Sequence, residues 1–310
     1  MRSTFLSLPA ALTGVLLLTA CETEQADGPS AQPPPSGASC DGQPSHAPHP
    51  SLPGKAAEQE REAVRITGYG GGSRGCALFE VTHTGSEPHT YTVTFDLLSD
   101  AGAVLDNTER TVAGVEPGRT VSGRIELGES MAGPQNVSRV RIAKVRSVPA
   151  DEAPSTTGPC PASGLRVYAD DGDAAMGLRV VSVHLENCGT RPYSLHGYPD
   201  VQLLDEGHEP VDGVRILHDG GSVAGGTGAD GPALPLVLEP GEGAWAGLVW
   251  RNTVQAGTPV NAPYVRVRAK SGADWVTVVP ELDLGTTGKL GIGPWKKREE
   301  EPQDRPPSSP

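Results

Sequence analysis

The clearest periodic signal in the chain runs from Thr90 to Leu97, where Tyr91, Val93, Phe95 and Leu97 alternate with Thr90, Thr92, Thr94 and Asp96. Period two with β-branched or aromatic side chains predicts a strand that buries one face. The turn-forming run Ser99-Asp100-Ala101-Gly102 follows and Val104-Leu105 resumes the apolar pattern, so a hairpin is expected there. Further strands are expected at Val64–Thr67, Ala77–Thr82, Thr120–Leu127 and Val140–Val145. A second series begins at Gly177–Asn187, with Val181, Val183 and Leu185 on one face and Ser182, His184 and Glu186 on the other. It continues at Val201–Leu204, Val214–Leu217, Leu236–Leu238, Ala244–Trp250, Tyr264–Ala269 and Trp275–Val279. Short strands punctuated in this way predict an all-β chain of two antiparallel β-sandwich domains, at 61–148 and 160–295, joined by a linker at 149–159.

Composition narrows this picture. With 40 Gly and 30 Pro among 310 residues, long helices are excluded. Four Trp, six Tyr and three Phe leave the cores to Val, Leu and Ile. The balance of 25 Lys+Arg against 38 Asp+Glu gives a net charge of −13, and no basic block tracks a phosphate backbone, which argues against nucleic acid as a partner. Between Glu22 and Gly54 there are eight prolines and no Val, Ile, Met or aromatic residue, so residues 22–60 read as a disordered Pro-rich tether. The charged, Pro-rich stretch 296–310 reads as a solvated, disordered tail.

The N-terminus carries an address. Arg2 precedes an apolar run from Phe5 to Ala20, too short to span a bilayer, and Leu18-Thr19-Ala20-Cys21 resembles a bacterial lipobox. On that reading residues 1–21 form a lipoprotein signal ending in a Cys21 that carries diacylglycerol and further acyl chains such as palmitate, enough for stable membrane anchoring. The remaining cysteines are Cys40, Cys76, Cys160 and Cys188, an even number that in an exported chain suggests disulfides. Three connectivities are open. The local pairs Cys40 with Cys76 and Cys160 with Cys188 keep each bond within one domain, the first requiring the tether to fold back. A four-thiolate zinc site lacks the paired spacing it needs.

The second half of the chain also resembles a known family. Cys160 with Leu165, the run Leu185-Glu186-Asn187-Cys188-Gly189, the segment Tyr193-Ser194-Leu195-His196-Gly197-Tyr198-Pro199-Asp200-Val201 and the close Leu282-Asp283-Leu284-Gly285 are similar to domain of unknown function 4232. That domain recurs in exported proteins and lipoproteins of high-GC Gram-positive bacteria. The resemblance covers 160–295 and implies an immunoglobulin-like sandwich in an extracytoplasmic setting. It implies no activity. In the commoner pattern the second Cys follows the position of Pro192, so Cys188 makes this a variant.

Candidate chemistry is sparse. Gly70-Gly71-Gly72-Ser73-Arg74-Gly75 satisfies G-x-G-x-x-G, but Cys76 and a strand-like run follow where a dinucleotide site needs a helix. Ser194, His196 and Asp200 lie too close together for a hydrolytic triad, and no G-x-S-x-G elbow occurs. His83 and His89 flank a turn able to bring them together, enough at most for a weak metal site, and His184 reads as solvated. Asp170-Asp171-Gly172-Asp173 fails the EF-hand pattern and reads as a surface turn. Trp245 and Trp250 are an odd number of positions apart, so one faces the core and one outward, where it could stack on a sugar. The loop from Asp219 to Pro232 holds six glycines and suggests either a mobile rim of a site or a tolerated insertion.

These observations lead to one expectation: a lipid-anchored protein on the outer face of a bacterial cell membrane, its ectodomain reaching into the cell-wall space and acting by non-covalent binding. It is not expected to be an enzyme or to need a cofactor. The partners expected are the membrane, through the anchor, and a wall component or envelope protein. An envelope-polymer-modifying enzyme, a passive structural spacer and a weak metal-binding protein are the alternatives.

Overall fold

The computed structural model describes residues 59–70, 75–127 and 137–298. Cys21, Cys40, the tether up to residue 58, the centre of the glycine run at 71–74 and residues 299–310 lie outside them; the expected tether is corrected at its end, where Glu60 opens the strand Glu60–Arg61 by pairing with Arg65. The described backbone is all-β, with two short 3₁₀ turns at Ala150–Glu152 and Gly220–Ser222.

In the first sandwich, Val64–Gly70 and Gly75–Thr82 form an antiparallel hairpin, so the glycine run joins two strands rather than opening a helix. Thr120–Leu127 pairs with the second of them and Glu60–Arg61 with the first. The facing sheet has His89–Leu98 at its centre, between Val104–Val115 and Arg139–Pro149. The alternation along His89–Leu98 sets the two faces. Tyr91, Val93 and Phe95 point into a core shared with Ile66, Phe79 and Ile125, where the Phe79 and Phe95 rings lie 4.9 Å apart and tilted by 52°, a favourable aromatic geometry. Thr92 and Thr94, between those core positions, stand on the outer face.

The second sandwich is built around Leu178–Asn187 and Gly243–Arg251, paired antiparallel from Leu178↔Arg251 to Glu186↔Gly243. Leu165–Ala169 extends one side of this sheet, and Lys289–Ile292 followed by Arg215–His218 extends the other. That last pair is parallel, the one departure from the antiparallel pattern among the described strands. Parallel neighbours cannot be joined by a tight turn, and here more than half the domain intervenes. Asp200–Leu204, Tyr264–Arg268 and Val276–Val278 form the opposing sheet. Val183, Leu185, Leu248 and Ile292 meet Leu203, Val265 and Val267 in a single core.

The strand expectations are met at every segment proposed from periodicity, with ends shifted by a few residues. Leu165–Ala169, Leu282–Gly285 and Lys289–Ile292, short strands of five, four and four residues, were not foreseen. The tail expectation is corrected at its start. Lys296–Lys297 pairs with Ala244 and Trp245, and Lys296 Nζ donates to the carbonyls of Gly228 and Asp230 at 2.6 and 2.9 Å. The paired chain therefore includes Arg298, whose amide donates to Gly243 O at 2.8 Å.

The glycine-rich loop after Asp219 is packed against the sandwich. Ala229 is 1% exposed, and a Cβ on Gly220, Gly247 or Gly293 would fall within 3 Å of its atoms. The bare backbones are what let the loop dock.

Both sandwiches fall within one compact unit. Val148 from the first meets Leu204 and Tyr264 from the second in a small buried cluster. Charged pairs surround it. Arg146 Nε and Nη2 donate to the two carboxylate oxygens of Glu281 at 2.7 and 2.9 Å, and its Nη1 donates to Glu206 at 2.9 Å. The linker residue Glu152 accepts from Arg266 Nε at 2.9 Å and from Thr277 Oγ1 at 2.6 Å.

Candidate functional site

A cleft of about 430 Å³ opens where the sandwiches meet. Its floor is the outer face of the sheet centred on His89–Leu98. Strand register places Thr92 between Thr111 and Arg146, and Thr94 between Glu109 and Lys144, so hydroxyls run down the middle with charges on both sides. The wall from the second sandwich carries Tyr168, Asp170, Asp171, Val279 and Glu281. A threonine face suits this position because the β-branched side chain favours the strand while the hydroxyl keeps the surface polar.

The charges lining the cleft divide into committed and open groups. Burial pushes the Glu281 carboxyl up, but the hydrogen bonds and charges of Arg146 and Lys144 outweigh it and hold the group below its ordinary value. The Arg146 guanidinium is correspondingly raised, chiefly by its hydrogen bond to Glu281. Asp170 accepts from the Ser182 amide at 2.8 Å and lies 3.2 Å from His184 Nε2. Glu109 and Asp171 remain as exposed acids at the mouth. The arrangement presents hydroxyls, one aromatic ring and a slight acidic excess, which suits hydrogen bonding to a neutral or cationic polar ligand.

Other candidate residues are placed as follows. Cys160 and Cys188 are bonded to each other. Cys76 is also disulfide-bonded, its partner lying outside the described residues. No hydrogen bond joins Ser194, His196 and Asp200 among the described residues, and Asp200 instead accepts from Arg268 Nε at 2.8 Å. Tyr198 stacks on His218 with ring centroids 4.7 Å apart, and Pro199 is buried, so the Gly-Tyr-Pro segment packs against the sandwich. His184 is not simply solvated, because its ring stacks on Tyr168 at 5.0 Å and its side chain is 21% exposed. The Asp-rich run is not a surface turn: Asp170 to Gly172 is irregular chain, with Gly172 at φ 67°, and Asp173 opens the short strand Asp173–Ala175 paired with Leu178–Asn187.

Trp250 is the inward member of its pair, 2% exposed, donating from Nε1 to Asp283 at 2.8 Å. Asn252 donates to the same carboxylate at 2.9 Å. Two residues on, Gly285 has φ 56°, and a Cβ there would lie 2.5 Å from Thr253 O. The Leu282-Asp283-Leu284-Gly285 motif is thus a packing device. Trp245, half-buried, lies under Lys296, and Trp275 lies under Arg266 and Arg268, so each ring already carries a cation over one face.

His83 and His89 do come together, their rings stacked with centroids 4.8 Å apart. The Nε2 of His83 faces Glu87 O at 2.5 Å and its Nδ1 faces the Tyr91 hydroxyl at 2.7 Å. A carbonyl only accepts, so Nε2 carries the proton and Nδ1 accepts from Tyr91. Both nitrogens being engaged, the pair is not arranged as metal ligands, and no cluster of three metal-ligating side chains occurs among the described residues. The column continues across the junction: His89 lies 6.2 Å from His208, which stacks on Tyr264 at 4.2 Å.

Arg146, Glu281, Glu206 and His208 were missed by sequence reasoning. Arg146 meets Glu206 and Glu281 at separations of 60 and 135 positions, and no local pattern reports such distances.

Residues 160–296 match the family model described as domain of unknown function (DUF4232). No curated protein matches the chain.

Proposed function

We propose that the protein is a lipid-anchored extracytoplasmic binding protein that holds a hydroxyl-bearing polar ligand, such as a segment of wall glycan, in the cleft between its two sandwiches. The carrying observation is the cleft itself, with a row of threonines from one domain facing Tyr168 and Asp171 from the other. The Cys160–Cys188 bond supports an oxidising compartment, and the lipobox ending at Cys21 supports the anchor. The carboxylate nearest the junction favours recognition over catalysis: Glu281 is held ionised between Arg146 and Lys144 and is not poised to take up a proton.

Two outcomes follow. Changing Cys21 to Ser is expected to move the protein from the membrane to the soluble fraction; retention on membranes by the variant would remove the anchor from the reading. Soluble N-acetylglucosamine oligomers at about a hundred times their dissociation constant should stabilise the full chain by roughly 2.7 kcal/mol, a rise of several degrees in its melting temperature. Thr92→Arg, which fills the floor of the cleft, should abolish the rise. An equal rise in the variant would place the ligand elsewhere, and no rise across neutral and cationic glycans would overturn the cleft as their site.

A further inference from the structure

We propose that the column His83, His89, His208 makes the junction between the two sandwiches acid-sensitive, closed when His89 and His208 are neutral and loosened when they take up protons. The column links the domains directly. His83 and His89 belong to the first sandwich and His208 to the second, and His208 rests on Tyr264, a buried member of the junction cluster. Tyr264 in turn receives the Ser147 amide from the first sandwich at 3.4 Å. A change in charge along the column therefore acts on the contact that joins the domains.

The local chemistry favours neutral rings. His89 Nδ1 is buried with no hydrogen-bond partner, so a proton added there has no acceptor. Imidazolium rings at His89 and His208, 6.2 Å apart, would repel one another, and Arg146 adds a fixed cation beside His208.

The acids facing the column are Glu87 and Asp151 near His89 and Asp205 near His208, with Glu62 close to both tyrosines. Glu206 and Glu281 are engaged by Arg146. Glu87, Asp151 and Asp205 do not reverse the balance. His89 is held below its ordinary value by burial and then by the charges of His83 and His208, and His208 is lowered chiefly by burial. Depressed values mean that the loosened state binds more protons. The stabilisation these rings provide is thus complete above the ordinary histidine value of 6.5 and is lost as the pH falls through the lowered values. Glu281, held below its own ordinary value of 4.5, stays ionised across that window, so the Arg146 bridge is not what changes. The inference stands whether or not the cleft takes a ligand; if it does, acid would part its two walls.

The test is amide hydrogen exchange on the full chain in detergent at about pH 7.5 and about pH 5, corrected for intrinsic exchange. The Ser147 amide and the 205–211 turn should lose protection by roughly tenfold or more at the lower pH, while the core strands around Val93 and Leu248 change by less than about twofold. The variant His89→Gln/His208→Asn should show no such acid response. Should it fail to fold, the single His208→Asn serves, because His208 sits at φ 64° where asparagine is well tolerated; it should reduce the response. Junction amides that track the core in the wild type, or an undiminished acid response in either variant, would overturn the proposal.

Discussion

Replacing Cys160 and Cys188 together by Ser is expected to lower the stability of the full chain by about 3 to 4 kcal/mol, and the midpoint of its thermal transition by roughly 10 °C. The bond joins residues 28 positions apart and ties the approach to Leu165–Ala169 to the end of Leu178–Asn187, strands that already pair. In the chain-entropy model, a loop of that length restricts the unfolded chain by the amount stated. The native contacts persist without the sulfurs. Gly189 N donates to Gly164 O at 3.0 Å, and Asn187 Nδ2 donates to the carbonyls of Arg191 and Leu238, each at 2.8 Å. The loss should therefore appear as a lower midpoint with an unchanged native spectrum. A shift under about 3 °C would show that the unfolded chain is restrained by other means.

Changing Arg146 to Ala is expected to cost about 2 to 3 kcal/mol, the discount from a fully buried pair reflecting a Glu281 side chain that is 35% exposed. The substitution removes a two-pronged contact to Glu281 and a second acid, Glu206, at one stroke, leaving a half-buried carboxylate with Lys144 alone. Arg146→Lys should recover only part of the loss, because an ammonium cannot span both oxygens of Glu281 while reaching Glu206. The pH profile separates this role from a packing role. With Glu281 below its ordinary value, its contribution is complete above pH 4.5 and disappears as the pH falls through the lowered value. Denaturant titrations should show that acid limb in the wild type and a shallower one in Arg146→Ala. Identical limbs would mean that the guanidinium acts through its bulk.

The parts legible in the sequence are those with a local rule. Alternation at Thr90–Leu97 marked a strand and sorted its faces, and the odd spacing of Trp245 and Trp250 correctly sent one inward. Lys289–Ile292 escaped because Gly291 interrupts its apolar pattern and its place in the sheet comes from neighbours at 215–218 and 248–249. The cleft was illegible for a related reason. Thr92 and Thr94 read as the exposed side of a sheet, and what turns that side into a floor is a second domain whose docking rests on Tyr264, Glu206 and Glu281, residues unremarkable in their own segments.

The position of Lys289–Ile292 also bears on how the chain is made. It lies between Arg215–His218 and Gly243–Arg251, so the last strand of any length to be synthesised sits inside the sheet rather than at its border. A chain emerging N-terminus first can complete the first sandwich once Pro149 is free, whereas the second waits for its final residues while the flank of Gly243–Arg251 stays open. That interval is when the half-built domain is most prone to pair with a neighbour, and a stop a dozen residues before Arg298 would prolong it indefinitely.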